Sequence, residues 1–197
     1  MPSVYGGSQV SLMVVGDSFW IRTPLGYGKL YDDPKYNWTY ESEPEPELAG
    51  GSSYLPRGKV LGGTGSINGM IYVRGHREDF DGWRQLGNTG WSFDEVLPYF
   101  KKSEDNVRGA DAYHATGGPI RVEYTRRHEL ADAFVEAAVQ AGFPRNEDVN
   151  GASADGFGYN QVTIRDGRRS GTATEYLRPA RRRPNLKVFL HALATRV

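Results

Sequence analysis

The chain has 197 residues, with 24 basic and 24 acidic side chains, 25 glycines and no cysteine. That length suits one domain or two and is enough to bury a core. The charge balance removes any global bias toward nucleic acid or membrane surfaces, and the missing cysteine excludes disulfides, thiolate catalysis and zinc–cysteine sites.

In chain order, Leu12 to Val15 reads as a short apolar strand ended by Gly16 and Asp17. The start carries no basic n-region, and Ser11 interrupts the apolar run from Val10 to Val15, so it does not read as a signal peptide. No apolar run reaches membrane-spanning length. A cytoplasmic chain without a transmembrane segment is expected, or one lying on a membrane surface. Residues 24–56 are rich in proline and glycine with tyrosine and tryptophan between them, a composition of loops and turns. Glu41 to Glu47 is acidic and Arg165 to Arg183 is basic, and both read as solvated faces. No aromatic ladder accompanies these arginines, so nucleic acid is not an expected partner.

Arg57 to Gly75 stands apart from the rest. Gly58, Gly62, Gly63 and Gly65 permit positive φ and close approach of another backbone or a ligand. Thr64, Ser66 and Asn68 are small polar groups suited to capping a helix start, and such a start beside Arg57 and Lys59 suits an anion. The generic motifs do not fit. Lys59 is followed by Val60 rather than Ser or Thr, and Asn68 stands where a dinucleotide fingerprint needs its third glycine. A plain glycine-rich connection and an anion-binding loop both stay open on these residues.

Downstream, Arg77 to Leu86 predicts a helix stopped by Gly87, with Phe80 and Trp83 on one face. Ser92 and Glu95 form a capping box for a second helix with Val96, Leu97, Tyr99 and Phe100 on its apolar side, kinked or limited by Pro98. Ile120 to Tyr124 alternates as a half-buried strand. His128 to Ala141 predicts a helix with Leu130, Phe134, Ala137, Ala138 and Ala141 on the buried stripe and Gly142 as its cap. Tyr159 to Ile164 predicts another strand. Thr172 to Glu175 reads as a second capping box, opening a short helix that Pro179 ends. Leu186 to Leu190 reads as a buried strand, with Thr195 to Val197 continuing that region. There is no internal repeat.

The run from Gly58 through Gly62, Gly63, Ile67, Asn68, Tyr72 and Gly75 to Asp81 resembles the first signature of the glucose–methanol–choline (GMC) family of flavin oxidoreductases. Pro24 to Leu30, Asn37 with Trp38, Glu43 to Leu48, Asp79 to Trp83, Gly90 to Ser92 and Pro98 to Phe100 are similar to the same family. The likeness runs from about Trp20 to Val197 and is nearest to the choline-dehydrogenase-like branch. It implies an α/β fold, with a partial Rossmann-like FAD-binding domain and the start of an α+β substrate domain. Residues 1–58 would be a truncated N-terminal segment and flavin lid, and 59–118 the signature with its following helices. Residues 119–184 would be part of the substrate domain and 185–197 a returning FAD-domain strand. Met1 to Ser18 fits the family poorly. No complete G-x-G-x-x-G unit is present, and neither is the family's catalytic-histidine segment. A fragment, or a chain with a replaced N-terminus, is therefore expected.

The resemblance also implies non-covalent FAD. Asn68 would lie beside the isoalloxazine ring, with Gly69, Met70 and Ile71 following along the cofactor. Val60 would contribute its backbone, and Ala194 would lie near adenine, where the family usually has valine. Ile67 occupies the place of a histidine that some relatives bond to the flavin. Gly65 replaces a usual Ser or Thr and predicts a looser turn. The implied reaction is hydride transfer from a small, choline-like alcohol to FAD, with a quinone, a dye or oxygen as later acceptor. None of His76, His114, His128 and His191 lies in the family's catalytic context, so each reads as exposed or structural. No carboxylate pair suggests an acid–base couple, and Asp79 and Asp81 read as the solvated face of a helix. Two rival expectations remain: a piece with no catalysis of its own, and a basic nucleic-acid-binding module resting only on Arg165 to Arg183.

Overall fold

The computed structural model describes residues 18–192, which fall into two compact units. One comprises Met1–Gly69 and Gly167–Val197, the other Met70–Asp166. The strand expected at Leu12 to Val15 lies outside the described residues, as does Ala194.

In the first unit, helix α1 (Phe19–Arg22) starts where the Ser18 hydroxyl accepts from the Trp20 N–H. A 3-10 turn, Pro24–Gly26, leads into helix α2 (Tyr27–Leu30). Gly26 is required there, because a Cβ would sit 2.2 Å from the Trp20 carbonyl oxygen. Residues expected to be irregular are thus partly organised, and they continue into a hairpin of β1 (Tyr40–Glu41) and β2 (Tyr54–Leu55). Asn37, almost fully buried, ties this region together. Its Oδ1 accepts from the Thr39 and Arg57 N–H groups at 3.1 and 2.8 Å. Its Nδ2 donates to the Tyr54 hydroxyl and the Tyr31 carbonyl. Leu30, Val60 and Ile67 form the buried core, with Ile21 and Tyr36 against it.

The second unit is built on a four-stranded sheet. Strand β3 (Ile71–Tyr72) precedes helices α3 (Arg77–Gln85) and α4 (Phe93–Ser103), then β4 (Glu104–Asn106) and β5 (Ile120–Tyr124). Helix α5 (Glu129–Gln140) and strand β6 (Gln161–Val162) follow, and the strand order is β3-β6-β5-β4. Only the β4–β5 pair is parallel, with Asn106 opposite Val122. The helix starts follow the capping rules: the Asp79 carboxylate accepts from the His76 N–H, and Glu95 from the Ser92 N–H. Gly87, at φ 98°, follows the last turn of α3 as expected. Asp81 is not merely solvated, since it accepts from the Phe93 N–H at 2.9 Å and so joins α3 to the start of α4. Phe80 packs between Trp83, Phe93 and Phe100. Pro98 does not stop α4, which runs on to Ser103.

The expected stripe on α5 is rotated. Val135 and Ala138 are buried, whereas Leu130 and Phe134 are 72% and 66% exposed. Both sets satisfy helical spacing; the face that packs runs through Ala131, Val135, Ala138 and Val139, so Ala138 is inside as expected while Ala137 and Ala141 are exposed. The capping box expected at Thr172 does not form. Thr172 is itself helical, and the Glu175 carboxylate takes the Ser170 hydroxyl instead. The segment is a π-helical turn, Ala173–Leu177, continued by Arg178–Ala180. Phe189 and Leu190, expected to be buried, are partly exposed.

Candidate functional site

The signature stretch folds as one 3-10 turn, Gly63–Ser66, and the expected helix start is not there. Gly62 and Gly63 adopt φ of 88° and 57°, which only glycine takes without strain. Gly58 lies so close to the turn that a Cβ would stand 2.2 Å from the Gly63 carbonyl oxygen. The small hydroxyls tie the loop to itself. Thr64 accepts from the Gly58 N–H at 3.1 Å, and Ser66 donates to the Leu61 carbonyl at 2.6 Å. The flanking cations turn away: Arg57 donates to the Pro56 carbonyl, and the Lys59 ammonium lies 4.8 Å from the centre of the Trp38 ring.

Other arginines take the place expected of those cations. Val60, 2% exposed, lines a cavity of about 380 Å³ together with Leu61, Leu177, Arg22, Arg169, Arg178 and Arg181. Its walls combine apolar surface with guanidinium groups. Among the described lining residues there is no acid and no histidine. This donor set suits a ligand with an apolar body and an anionic group. A volume of this size holds part of a dinucleotide rather than all of it.

Arg169 is the residue the sequence did not single out. It lies in the basic run read as a solvated face, yet it is 5% exposed. Its Nε donates to the Ile21 carbonyl at 3.0 Å, and its Nη1 to the Gly65 carbonyl at 3.2 Å and to Asn68 Oδ1 at 2.7 Å. Burial pushes its guanidinium down to about 10.

The other expected site residues are placed as follows. Asn68 and Gly69 are exposed at the end of the first unit. Met70 opens the second unit, buried and with a φ of 63°, unusual for a side-chain-bearing residue. Its carbonyl accepts from the Thr163 N–H at 2.9 Å. Ile71 lies in β3, 51% exposed. Ile67 is fully buried in the core.

A second polar centre lies wholly within the second unit. His114 is fully buried, with Nδ1 3.0 Å from Glu104 and Nε2 2.8 Å from Asp148. Arg74 pairs with the other face of Glu104 at 3.0 Å. Two ring nitrogens facing two carboxylates must both donate, so His114 is an imidazolium. Burial alone would lower its pKa, but the hydrogen bonds to Asp148 and Glu104 outweigh burial and raise it to about 9. The two carboxylates are the pair the sequence did not reveal. They are consumed by this network, as expected for a structural histidine. Among the described residues there is no group of metal-ligating side chains and no helix long and apolar enough to cross a membrane.

A mixed α/β fold carrying a glycine-rich loop beside an arginine-lined cavity is the class of protein seen here. Residues 4–197 match the family described as GMC oxidoreductase, and the chain belongs to that family. The match begins well before Trp20, so the expectation that residues up to Ser18 fit poorly is corrected from residue 4 onward. The chain is similar to the oxygen-dependent choline dehydrogenase of Brucella ovis, 51% identical over 169 residues, covering 85% of this chain and 31% of that one. It is likewise similar to the oxygen-dependent choline dehydrogenase of Rhizobium rhizogenes, 45% identical over 186 residues, covering 94% of this chain and 33% of that one. Among solved structures, pyridoxine 4-oxidase from Mesorbium loti superposes with a TM-score of 0.85 at 33% identity, over 92% of this chain and 36% of that one. Formate oxidase superposes with a TM-score of 0.75 at 26% identity, over 93% of this chain and 33% of that one. The chain therefore spans about a third of the length of the curated relatives it matches.

Proposed function

We propose that this chain carries the flavin-seating segment of an oxidoreductase acting on the CH–OH group of a small, choline-like alcohol. The observation that carries the reading is the loop itself. Val60 opens onto an arginine-lined cavity, and the same loop ends in Asn68, whose amide is held by one of those arginines. The Val60 backbone, Asn68, Gly69, Met70 and Ile71 would hold FAD, and Ala194 would lie toward its adenine. When bound, FAD supplies the hydride acceptor, later reoxidised by a quinone, a dye or oxygen. The buried aliphatic Ile67 offers no atom for a covalent link, which supports non-covalent binding. The residues of this chain orient the ligand and shield it from water. Among the described lining residues there is no histidine or carboxylate to accept a proton.

The second reading, a chain that binds flavin weakly without turnover, draws on that same missing base. A titration of FAD fluorescence against the purified chain, followed by choline-dependent dye reduction, tests both. Weak, saturable quenching with dye reduction at background is expected. Quenching that never saturates would overturn the seat, and choline turnover by the isolated chain would overturn the missing base.

A further inference from the structure

Helix α5 has two apolar sides and packs only one of them. Val135 and Ala138 are buried, while Leu130, Phe134, Ala137 and Ala141 are all exposed, the first two at 72% and 66%. Their spacing of four, three and four residues is that of a coiled-coil seam. Phe143, 54% exposed, extends the patch, and the Phe157 ring lies 5.9 Å from that of Phe134 and 5.3 Å from that of Phe143. Together these side chains present on the order of 400 Å² of apolar surface, a size at which a patch often marks an interaction site. A standard interface takes about 800 Å² from each partner, a little over half of it apolar. The patch therefore supplies most of the apolar area that one side of a stable dimer needs.

Charge and shape decide what covers it. Beside the stripe, Arg127 is paired with Asp132 at 2.5 Å and Arg145 with Glu136 at 2.6 Å. No cluster of one sign is left to hold a nucleic acid, an acidic peptide or an anionic membrane. Along the stripe the bulk falls from Leu130 and Phe134 to Ala137 and Ala141. A parallel copy would set bulk against bulk and leave gaps at the alanines. An antiparallel copy sets Phe134 over the partner's Ala137 and Leu130 over the partner's Ala141, because both pairs are symmetric about one point between Val135 and Glu136. Large then faces small in both layers, which fills the space between two helices. We propose that this stripe is a self-association face, on which two copies of the chain pair their α5 helices antiparallel about a twofold axis.

Sedimentation of the full chain from about 1 to 100 μM tests this, a range that brackets a micromolar dissociation constant. A concentration-dependent dimer is expected. Phe134→Ala leaves a gap in the central layer and Ala137→Phe sets bulk against bulk, so each should weaken the dimer about tenfold or more. The double variant restores large over small with the roles exchanged and should return to within about threefold of wild type. A merely structural role for Phe134 predicts no such rescue. Leu130→Ala and Ala141→Leu should behave in the same way in the outer layer, and they decide the question if a Phe134 variant does not fold. A chain that stays monomeric at about 100 μM would overturn the proposal. So would a dimer indifferent to the single substitutions, or a double variant no tighter than either. Flotation with phosphatidylcholine vesicles is the parallel arm. A monomer that floats would mean that a bilayer, and not a second copy, covers the stripe, and would overturn the proposal as well.

Discussion

Arg169 donates to the side-chain oxygen of Asn68 at 2.7 Å, joining two residues 101 positions apart in the chain. The contact brings the returning segment of the first unit onto the signature loop. The shape of that loop therefore depends on residues far from it in sequence, as well as on its own glycines.

The glycines themselves divide sharply. At Gly58 a Cβ would meet the Gly63 carbonyl oxygen at 2.2 Å, while at Gly65 the nearest atom would be the Thr172 hydroxyl at 3.9 Å. Gly58→Ala should destabilise the chain by about 3 kcal/mol, since backbone cannot move aside. Gly65→Ser, which restores the residue type usual in the family, should stabilise it by about 0.5 kcal/mol through the unfolded state. Paired urea melts of the two variants check both signs.

Much of this loop was legible in the sequence, because glycine density and small polar residues act locally. The extent of α3 with its Gly87 stop, the Ser92–Glu95 capping box of α4 and the alternating strand β5 follow from the same local rules. Arg169 was not legible. Nothing in a run of arginines tells which one is buried, and its partners lie 104 and 148 residues away at Gly65 and Ile21. The rotated face of α5 failed for a related reason: two faces fit the helical period, and only tertiary packing, which buries Val135 and Ala138, chooses between them.

The His114 network predicts a distinct pH profile. The folded pKa of about 9 lies above the ordinary histidine value of 6.5, so the imidazolium contributes stability fully below about pH 6.5 and loses it as pH rises through 9. Glu104 and Asp148 are held below the usual carboxylate range. Burial opposes this, and the hydrogen bonds from His114 overcome it. Their contribution is present above the ordinary carboxylate pKa and is lost in acid. Arg74 and Arg108 face the same carboxylates. Stability should therefore fall by on the order of 3 kcal/mol between about pH 6.5 and 9. His114→Gln should abolish that slope and be destabilised even at pH 6. Melts in urea at stepped pH provide the check.

Phe80 organises the helical side of the second unit, with three aromatic rings within 5.4 to 6.1 Å of its own. Phe80→Ala should cost about 3–5 kcal/mol, as for other buried aromatic truncations. Loss of near-ultraviolet ellipticity should accompany unfolding, because Trp83 and Trp91 stack edge-on beside it. A variant within 1 kcal/mol of wild type (roughly the cost of a mild core change) would contradict this packing.

The central claim is that the loop from Arg57 to Gly75 seats a flavin, and one measurement addresses it most directly. It is a 15N–1H shift titration of the whole chain with FAD. The account predicts saturable shifts at Val60, at Gly62 to Gly65 and at Asn68 to Ile71, with residues of α5 unmoved. FAD that moves none of these resonances, or moves α5 as much as the loop, would contradict it.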